Sequence, residues 1–456
     1  MERILITGGR VIDPASGLDG VADVAIAGGR VAAVGRGLDR SAAGRVIEAE
    51  GRIVCPGLID PHVHLREPGQ THKEDIASGT RAAIAGGFTT VCCMPNTNPA
   101  IDTPEMVLLL QHAIARTARS RVFVVGAATQ GRQGERLAEI GLLAQAGAVA
   151  ISDDGDAVPT SGVMNRALAA CSAAGLVFMQ HCQDATLTGS APMHAGEVAQ
   201  RLGVAGWARE AEEIIAERDV RLVRKHAGAR YHVQHISSAG TIEIIRRARA
   251  DGLAVTGEAS PHHLILTHEA CAAHSPDGGG WFGDPMAKMN PPLRERADVE
   301  ALRDGVADGT ITILATDHAP HAGDEKGLPF EEAPFGIIGL ETALALYAEA
   351  LVGSGRIGWG RLIELMTAEP ARLCGLDRLG LGSLAVGSAG DVTIIDPELS
   401  WTVSAADLKG KSRNTPFLGR AMIGKPVGTI VGGRVMLDPA SGELADEAAL
   451  AGVVAV

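Results

Sequence analysis

The sequence predicts an α/β fold: a (β/α)8 TIM-like barrel carrying a small β-sandwich domain built from both chain termini. Three observations lead there. Eight short apolar runs alternate with helix-like stretches across about 260 residues in the middle of a 456-residue chain, close to the length of about 250 typical of such a barrel. Those runs are apolar almost throughout, as strands buried on both faces of a parallel sheet must be. The two ends instead carry short, partly alternating runs punctuated by Gly, Asp and Pro, which read as strands and turns.

The first segment, residues 1–55, contains "ADVAIAGGRVAAVG". Its "GGRVIDPASG" (Gly8 to Gly17) echoes "GGRVMLDPASG" (Gly432 to Gly442) near the other end, where "AGDVTIIDP" and "GTIVGGRV" also lie. Segments 1–55 and 377–456 are therefore expected to complete one β domain, with 56–376 inserted as the barrel. Two unrelated hairpins sharing a turn chemistry are the alternative. The barrel strands are expected, in order, at "GLIDPHVHL", "TTVCCMPN", "RVFVVGAA", "AVAISDD", "GLVFMQHC", "RYHVQHIS", "LAVTGEAS" and "ITILATDH". Helices such as "EDIASGTRAAIAGG" and "GTIEIIRRARADG" separate them. An open doubly wound sheet is the lesser expectation, because no G-x-G-x-x-G follows the first strand.

Composition narrows the function. With 41 basic and 54 acidic residues the net charge is −13, and no basic run is present, so nucleic acid and anionic membranes are poor partners. The seven cysteines form no C-x-x-C pair, which argues against a disulfide framework or a zinc ribbon. They read as small buried hydrophobes. The opening "MERILITGGRVIDP" is too polar for a signal peptide, and no run approaches a membrane span. A reducing cytoplasm is the expected location.

Reactive groups gather where the strands end, and a parallel barrel keeps its chemistry there. Strand one ends in His62 and His64, strand two near Asn96, strand four in Asp153 and Asp154. Strand five ends in His181, strand six in His235, and strand eight in Asp317, His318 and His321. In H-x-H the residues i and i+2 share a face, so His62 and His64 both aim into the barrel mouth. Neutral imidazoles in such a crowd are good ligands for a divalent metal. Four histidines and two carboxylates exceed the needs of one four-coordinate zinc. They suit two metals about 3.5–4 Å apart that share a carboxylate and a hydroxide, a hydrolytic arrangement. Paired cations bring the pKa of a shared water toward neutrality. Asp317, at the last strand end, is the candidate general base and acid.

Together with "DPHVHLREPG", "MPNTNP", "SDDG", "QHC", "YHVQHIS", "SPHHL", "KMNPPLR", "ATDHAPH" and "EEAPFGIIGLETAL", these residues resemble the dihydroorotases of the amidohydrolase superfamily. The resemblance is to the long bacterial type, whose metal bridge is an aspartate and not a carboxylated lysine, and it runs through nearly the whole chain. It implies a zinc enzyme that reversibly interconverts N-carbamoyl-L-aspartate and L-dihydroorotate in pyrimidine biosynthesis. By motif, two Zn2+ would be held per chain: one by His62, His64 and Asp317, the other by His181 and His235. Asp154 would bridge them, with Asp153 as the competing residue. Arg66, Asn96 and His321 would bind the substrate α-carboxylate. Asn290 would contact the ring, and Pro334, Phe335 and Gly336 would supply backbone contacts. Metal-bridging hydroxide would attack the cyclic amide, with Asp317 shuttling the proton. A guanidinium grips a carboxylate in a bidentate way, although an ion pair with Glu67 is another use for Arg66. A homodimer is expected, and association with aspartate transcarbamoylase is a further expectation.

Other histidines carry blander expectations. His72, His112, His194, His226, His268 and His274 fall in expected helices or loops and are expected to be solvated. His232 is expected to pack or hydrogen-bond, His262 and His263 to support the site from behind, and His318 to orient the site or pack. Two features depart from the family pattern. Gln183 stands where an acidic residue is commoner, and "HSPDGGGWFGDPMAK" (His274 to Lys288) is long, read either as a mobile lid or as an ornamented loop. Two rival functions remain. A sibling cyclic amidase such as an allantoinase or dihydropyrimidinase would need a lysine where "AVAISDDG" offers aspartates. A non-catalytic subunit scaffolding aspartate transcarbamoylase would be expected to lose ligands, and all six are present.

Overall fold

The computed structural model describes residues 3–274 and 280–445, so residues 275–279 of the long stretch noted above lie outside the described residues. The N-terminal strands are β1 (Ile4–Asp13), β2 (Leu18–Ala27), β3 (Arg30–Gly35), β4 (Arg45–Glu48) and β5 (Ile53–Pro56). The chain then enters β6 (Leu58–Val63), β7 (Phe88–Cys93), β8 (Arg121–Ala127), β9 (Ala148–Ser152) and β10 (Val177–Gln180). A short parallel pair follows, β11 (Met193–His194) and β12 (Gly206–Trp207), before β13 (Arg230–Val233) and β14 (Val255–Ala259). The antiparallel pair β15 (Ala272–His274) and β16 (Trp281–Gly283) precedes β17 (Ile313–Leu314). Strands β18 (Val392–Thr402), β19 (Ala421–Val431) and β20 (Arg434–Leu437) complete the set.

Eight parallel strands stand side by side in chain order, from β6 through β7, β8, β9, β10, β13 and β14 to β17. A parallel bridge between Val63 and His318 closes the ring at its mouth. These are the eight runs expected as strands, and the barrel is the fold the alternation predicted. Helices between strands start where their caps dictate. Asp75 and Ser78 form a capping box at Ile76–Ala85, and Thr160 caps Ser161–Ala174, which ends at left-handed Gly175. Inside the ring, Ile59, Cys92, Phe123, Val125, Ala150, Val177, Met179 and Ile313 pack together, with Leu373 and Leu376 joining the same cluster.

The first barrel strand is irregular for a chemical reason. Pro61 has no N–H to give the ladder, and the register with β7 shifts between Asp60 and Val63. The buried Asp60 carboxylate takes over the pairing. Its Oδ1 accepts from His62 N at 3.0 Å, and its Oδ2 from Thr316 N at 3.2 Å, across the seam where the barrel closes. His62 is thus set by a side chain and not by the ladder.

Both chain ends enter one further sheet, in the order β20-β19-β18-β5-β1-β2-β3, with β4 on β1. The join is antiparallel: Val392 to Ile395 of β18 face Pro56 to Ile53 of β5. The sheet has its own core, including Ile6, Val11, Val24, Ile26, Val54, Val392, Ile394 and Ile430. It docks on the barrel through Arg121, which pairs with Asp391 at 2.8 Å, and through Thr393 Oγ1, which donates to Gly87 O at 2.6 Å. The sequence echo does not mark equivalent positions. Gly432 and Gly433 turn β19 into β20, whereas Gly8 and Gly9 sit within β1 at a register shift against β2. Among the described residues, no helix is long and apolar enough to cross a membrane.

Candidate metal and substrate site

The strand ends bring the expected groups together. His62 lies in β6 and His64 just after it, Asp154 follows β9, His181 follows β10, His235 follows β13 and Asp317 follows β17. All six are buried. Asp154 stands at the centre. Its Oδ1 is 3.3 Å from His62 Nε2, 3.5 Å from His235 Nε2 and 3.6 Å from His181 Nδ1, and its Oδ2 is 3.5 Å from His64 Nε2. Asp317 Oδ1 lies 3.0 Å from His64 Nε2 and 3.6 Å from His62 Nε2.

Two triads result, His62–His64–Asp154 and Asp154–His181–His235, each close enough to hold a metal ion and sharing one aspartate. The donor set fits a metal on two counts. It is made of imidazole and carboxylate, which suit divalent transition ions. Moreover, His62 Nε2 and Asp154 Oδ1 are buried without a hydrogen-bond partner, an expensive state for polar atoms unless something binds them. Burial pushes the Asp154 carboxyl up, but the surrounding imidazoles of His62, His181 and His235 hold it well below the usual range, so it stays an anion.

Asp153 is placed elsewhere. Its Oδ1 accepts from Ala128 N at 2.8 Å and Thr129 N at 3.1 Å, so it fastens β9 to the end of β8. Of the two aspartates left open by spacing, Asp154 is the one in the cluster.

Three side chains behind the cluster fix how its histidines face. Glu258 Oε1 is 2.5 Å from His62 Nδ1, and Asn96 Oδ1 is 2.8 Å from His64 Nδ1. With Nδ1–H donated outward, both imidazoles turn a lone pair on Nε2 inward. His181 is the mirror case: Gln183 Oε1 is 2.8 Å from its Nε2, which leaves Nδ1 to face Asp154. Glu258 also meets His232 Nε2 at 3.0 Å and His235 N at 3.0 Å. Sequence reasoning missed Glu258. It lies near the end of the seventh strand run, "LAVTGEAS", and a carboxylate inside a buried apolar run was the available signal.

A cavity of about 290 Å³ opens over the cluster, and every residue expected to meet substrate lines it: Arg66, Asn96, Asn290, His321, Pro334, Phe335 and Gly336. Arg66 Nε donates to Pro320 O at 3.1 Å, and burial lowers its pKa to about 10. Glu67, the alternative partner for Arg66, instead accepts from Ile76 N at 3.1 Å. His321 Nε2 donates to Phe335 O at 2.8 Å. Asn290 Nδ2 donates to the same Gln183 Oε1 that holds His181, at 3.1 Å. Gln183 therefore sits between a cluster histidine and a cavity residue. Arg66, His235 and Asp317 have φ of 60°, 27° and 50°. Left-handed backbone at such residues costs about 1–3 kcal/mol each and concentrates at working sites.

The structure corrects two histidines. His194 and His268, expected in solvent, are buried with ring centroids 5.6 Å apart, and Arg294 Nη1 reaches His194 Nδ1 at 3.1 Å. The β11–β12 pair draws them in, through partners far away in the chain. His72, His112 and His274 are exposed as expected, and His226 is half-buried. His232 hydrogen-bonds, His262 and His263 are buried behind the site, and His318 Nδ1 accepts from Gly339 N at 3.1 Å.

Known proteins resemble the chain in sequence and in fold. A family model described as dihydro-orotase-like matches residues 51–241. The chain is 48% identical to a dihydroorotase of Citrifermentans bemidjiense over 434 residues, covering 95% of this chain and 99% of that protein. It is 46% identical to a dihydroorotase of Trichlorobacter lovleyi with the same coverage. Among solved structures, an L-hydantoinase (dihydropyrimidinase) from Arthrobacter aurescens superposes with a TM-score of 0.85 at 25% identity, covering 98% of each chain. A D-hydantoinase from a Bacillus sp. shares the fold at a TM-score of 0.82, covering 97% of each chain at 24% identity.

Proposed function

Because the chain belongs to the dihydroorotase family, we propose that its Asp154-centred cluster hydrolyses and forms the cyclic amide of L-dihydroorotate. The chain is a cyclic amide hydrolase by family. The substrate pair is N-carbamoyl-L-aspartate and L-dihydroorotate, in pyrimidine biosynthesis. The single observation that carries the reading is the pair of triads sharing Asp154 at the floor of a cavity lined by Arg66, Asn96 and His321.

Two zinc ions are the proposed cofactors, held by His62, His64 and Asp317 on one side and His181 and His235 on the other, with Asp154 between. Bound there, they would polarise the amide carbonyl and make hydroxide available near neutral pH. The remaining work belongs to side chains. Arg66 binds the α-carboxylate as a fork, aided by Asn96 and His321. Asn290 and the backbone of Pro334, Phe335 and Gly336 hold the ring. Asp317 faces the cluster from the last strand end, takes a proton from the attacking water and delivers it to the departing amide nitrogen. In the synthetic direction it returns that proton.

The test is turnover of L-dihydroorotate against hydantoin and allantoin, with metals counted per chain. Faster hydantoin or allantoin turnover would move the chain to the sibling amidases. A metal-loaded chain that turns over none of the three would favour a scaffolding subunit. The chain is further proposed to act as a homodimer, with association with aspartate transcarbamoylase read out by co-sedimentation.

A further inference from the structure

Two lysines lie buried behind the cavity wall, where the mechanism above does not use them. Lys326 is 1% exposed, and its Nζ donates to Pro334 O at 2.9 Å and Gly336 O at 3.1 Å. Lys288 is 2% exposed, and its Nζ donates to Phe330 O at 2.7 Å and Glu331 O at 3.0 Å. Lys288 Nζ also stands 4.6 Å from the centroid of the Phe335 ring. Gly336 N closes the arrangement by donating to Lys288 O at 2.9 Å. Among the described residues, carbonyl oxygens and not carboxylates meet both ammonium groups.

A buried ammonium without a carboxylate is costly, whereas an apolar chain in its place would leave Pro334 O without its donor. Pro334 to Gly336 has no helix or strand to shape it, yet all three residues line the cavity. Gly336 has φ of 110°, and a Cβ there would fall 2.6 Å from Ala319 Cβ. The segment's form is thus set from behind, by Lys326 on the carbonyls of Pro334 and Gly336, by Asn414 Nδ2 on the same Gly336 carbonyl and by His321 on the Phe335 carbonyl between them. Pro334 C=O and Phe335 N–H belong to one peptide unit, so a cation on the oxygen strengthens the N–H as a donor. The substrate class is anionic, and this places positive charge one peptide behind the surface it would touch.

We propose that Lys326 is a positioning residue for the anionic substrate: it holds the Pro334–Gly336 wall in its binding shape and polarises it. The inference rests on the reading that this cavity takes L-dihydroorotate. Lys326→Met is unbranched, one atom shorter, and removes the ammonium. In the full-length, metal-loaded chain at pH 6, where the folded protein still holds the ammonium, it is expected to raise KM about tenfold with kcat within about threefold of wild type, and to leave metal content unchanged. Lys326→Gln, which keeps one donor, is expected to fall between. A KM within about twofold of wild type in either folded variant overturns the inference. So does failure of both variants to fold, which would make the ammonium a purely fold-holding group. Wild-type chain that does not hydrolyse dihydroorotate instead overturns the substrate reading, and the inference with it.

Discussion

His62 Nε2 and Asp154 Oδ1 face each other at 3.3 Å in a buried space, and neither has a hydrogen-bond partner. Two lone pairs aimed at one point make sense when a cation lies between them. Asp154 is also the residue common to both triads. Asp154→Ala is therefore expected to lose both metals and not one. Elemental analysis of purified protein checks this; a variant retaining the wild-type metal count would remove Asp154 as the bridge.

Glu258 does not itself line the cavity, yet its Oε1 stands 2.5 Å from His62 Nδ1 and orients that ring from behind. Glu258→Gln keeps the shape but can present its amide N–H2 to Nδ1, favouring the wrong imidazole tautomer. Metal affinity is expected to fall about 10–100-fold, as for other partners behind a ligand. Competition with a chelator measures it, and affinity equal to wild type would show that His62 needs no such support.

Asp317→Asn removes the proposed proton carrier from the last strand end. Loss of general acid–base catalysis is expected to lower kcat about a hundred- to ten-thousand-fold. Steady-state kinetics at full metal loading decide it, since a weaker ligand alone would be rescued by added metal.

Arg66→Lys keeps the positive charge and loses the fork. Because Arg66 Nε is already committed to Pro320 O, the guanidinium plane is fixed, and an ammonium cannot reproduce it. KM for dihydroorotate is expected to rise at least about tenfold, the scale of one lost charge-assisted hydrogen bond. An unchanged KM would place the carboxylate elsewhere in the cavity.

Burial lowers the pKa of Lys326 from 10.5 to about 7. Between those values the unfolded chain holds a proton on this group that the folded chain has released. Stability contributed by Lys326 therefore rises with pH across that window, by at most about 1.4 kcal/mol per pH unit. Lys326→Met is expected to flatten the rise. Urea midpoints at pH 7 and pH 9 for both proteins test the sign; an equal slope in the two would place the titration on other groups.

Much of this fold and site is legible in the sequence. Strands buried on both faces read as continuous apolar runs, so all eight barrel strands could be located by pattern. Their ends carried His62, His64, Asp154, His181, His235 and Asp317 because a barrel has no other place to gather polar groups. The H-x-H spacing by itself put two imidazoles on one face. What spacing could not do was choose between Asp153 and Asp154. Adjacent residues point opposite ways, and which one points inward depends on Thr129 and Ala128, which engage Asp153 from the neighbouring strand. Nor could it find the partners behind the cluster. Glu258 meets His62 across 196 positions of chain, and Lys326 supports a wall whose shape no local pattern encodes. Sequence by itself determined which residues are reactive and on which strand each rides, since periodicity is a local property of the backbone. Only the tertiary structure decided which atoms face one another, because burial leaves each polar atom to find its partner in space and not along the chain.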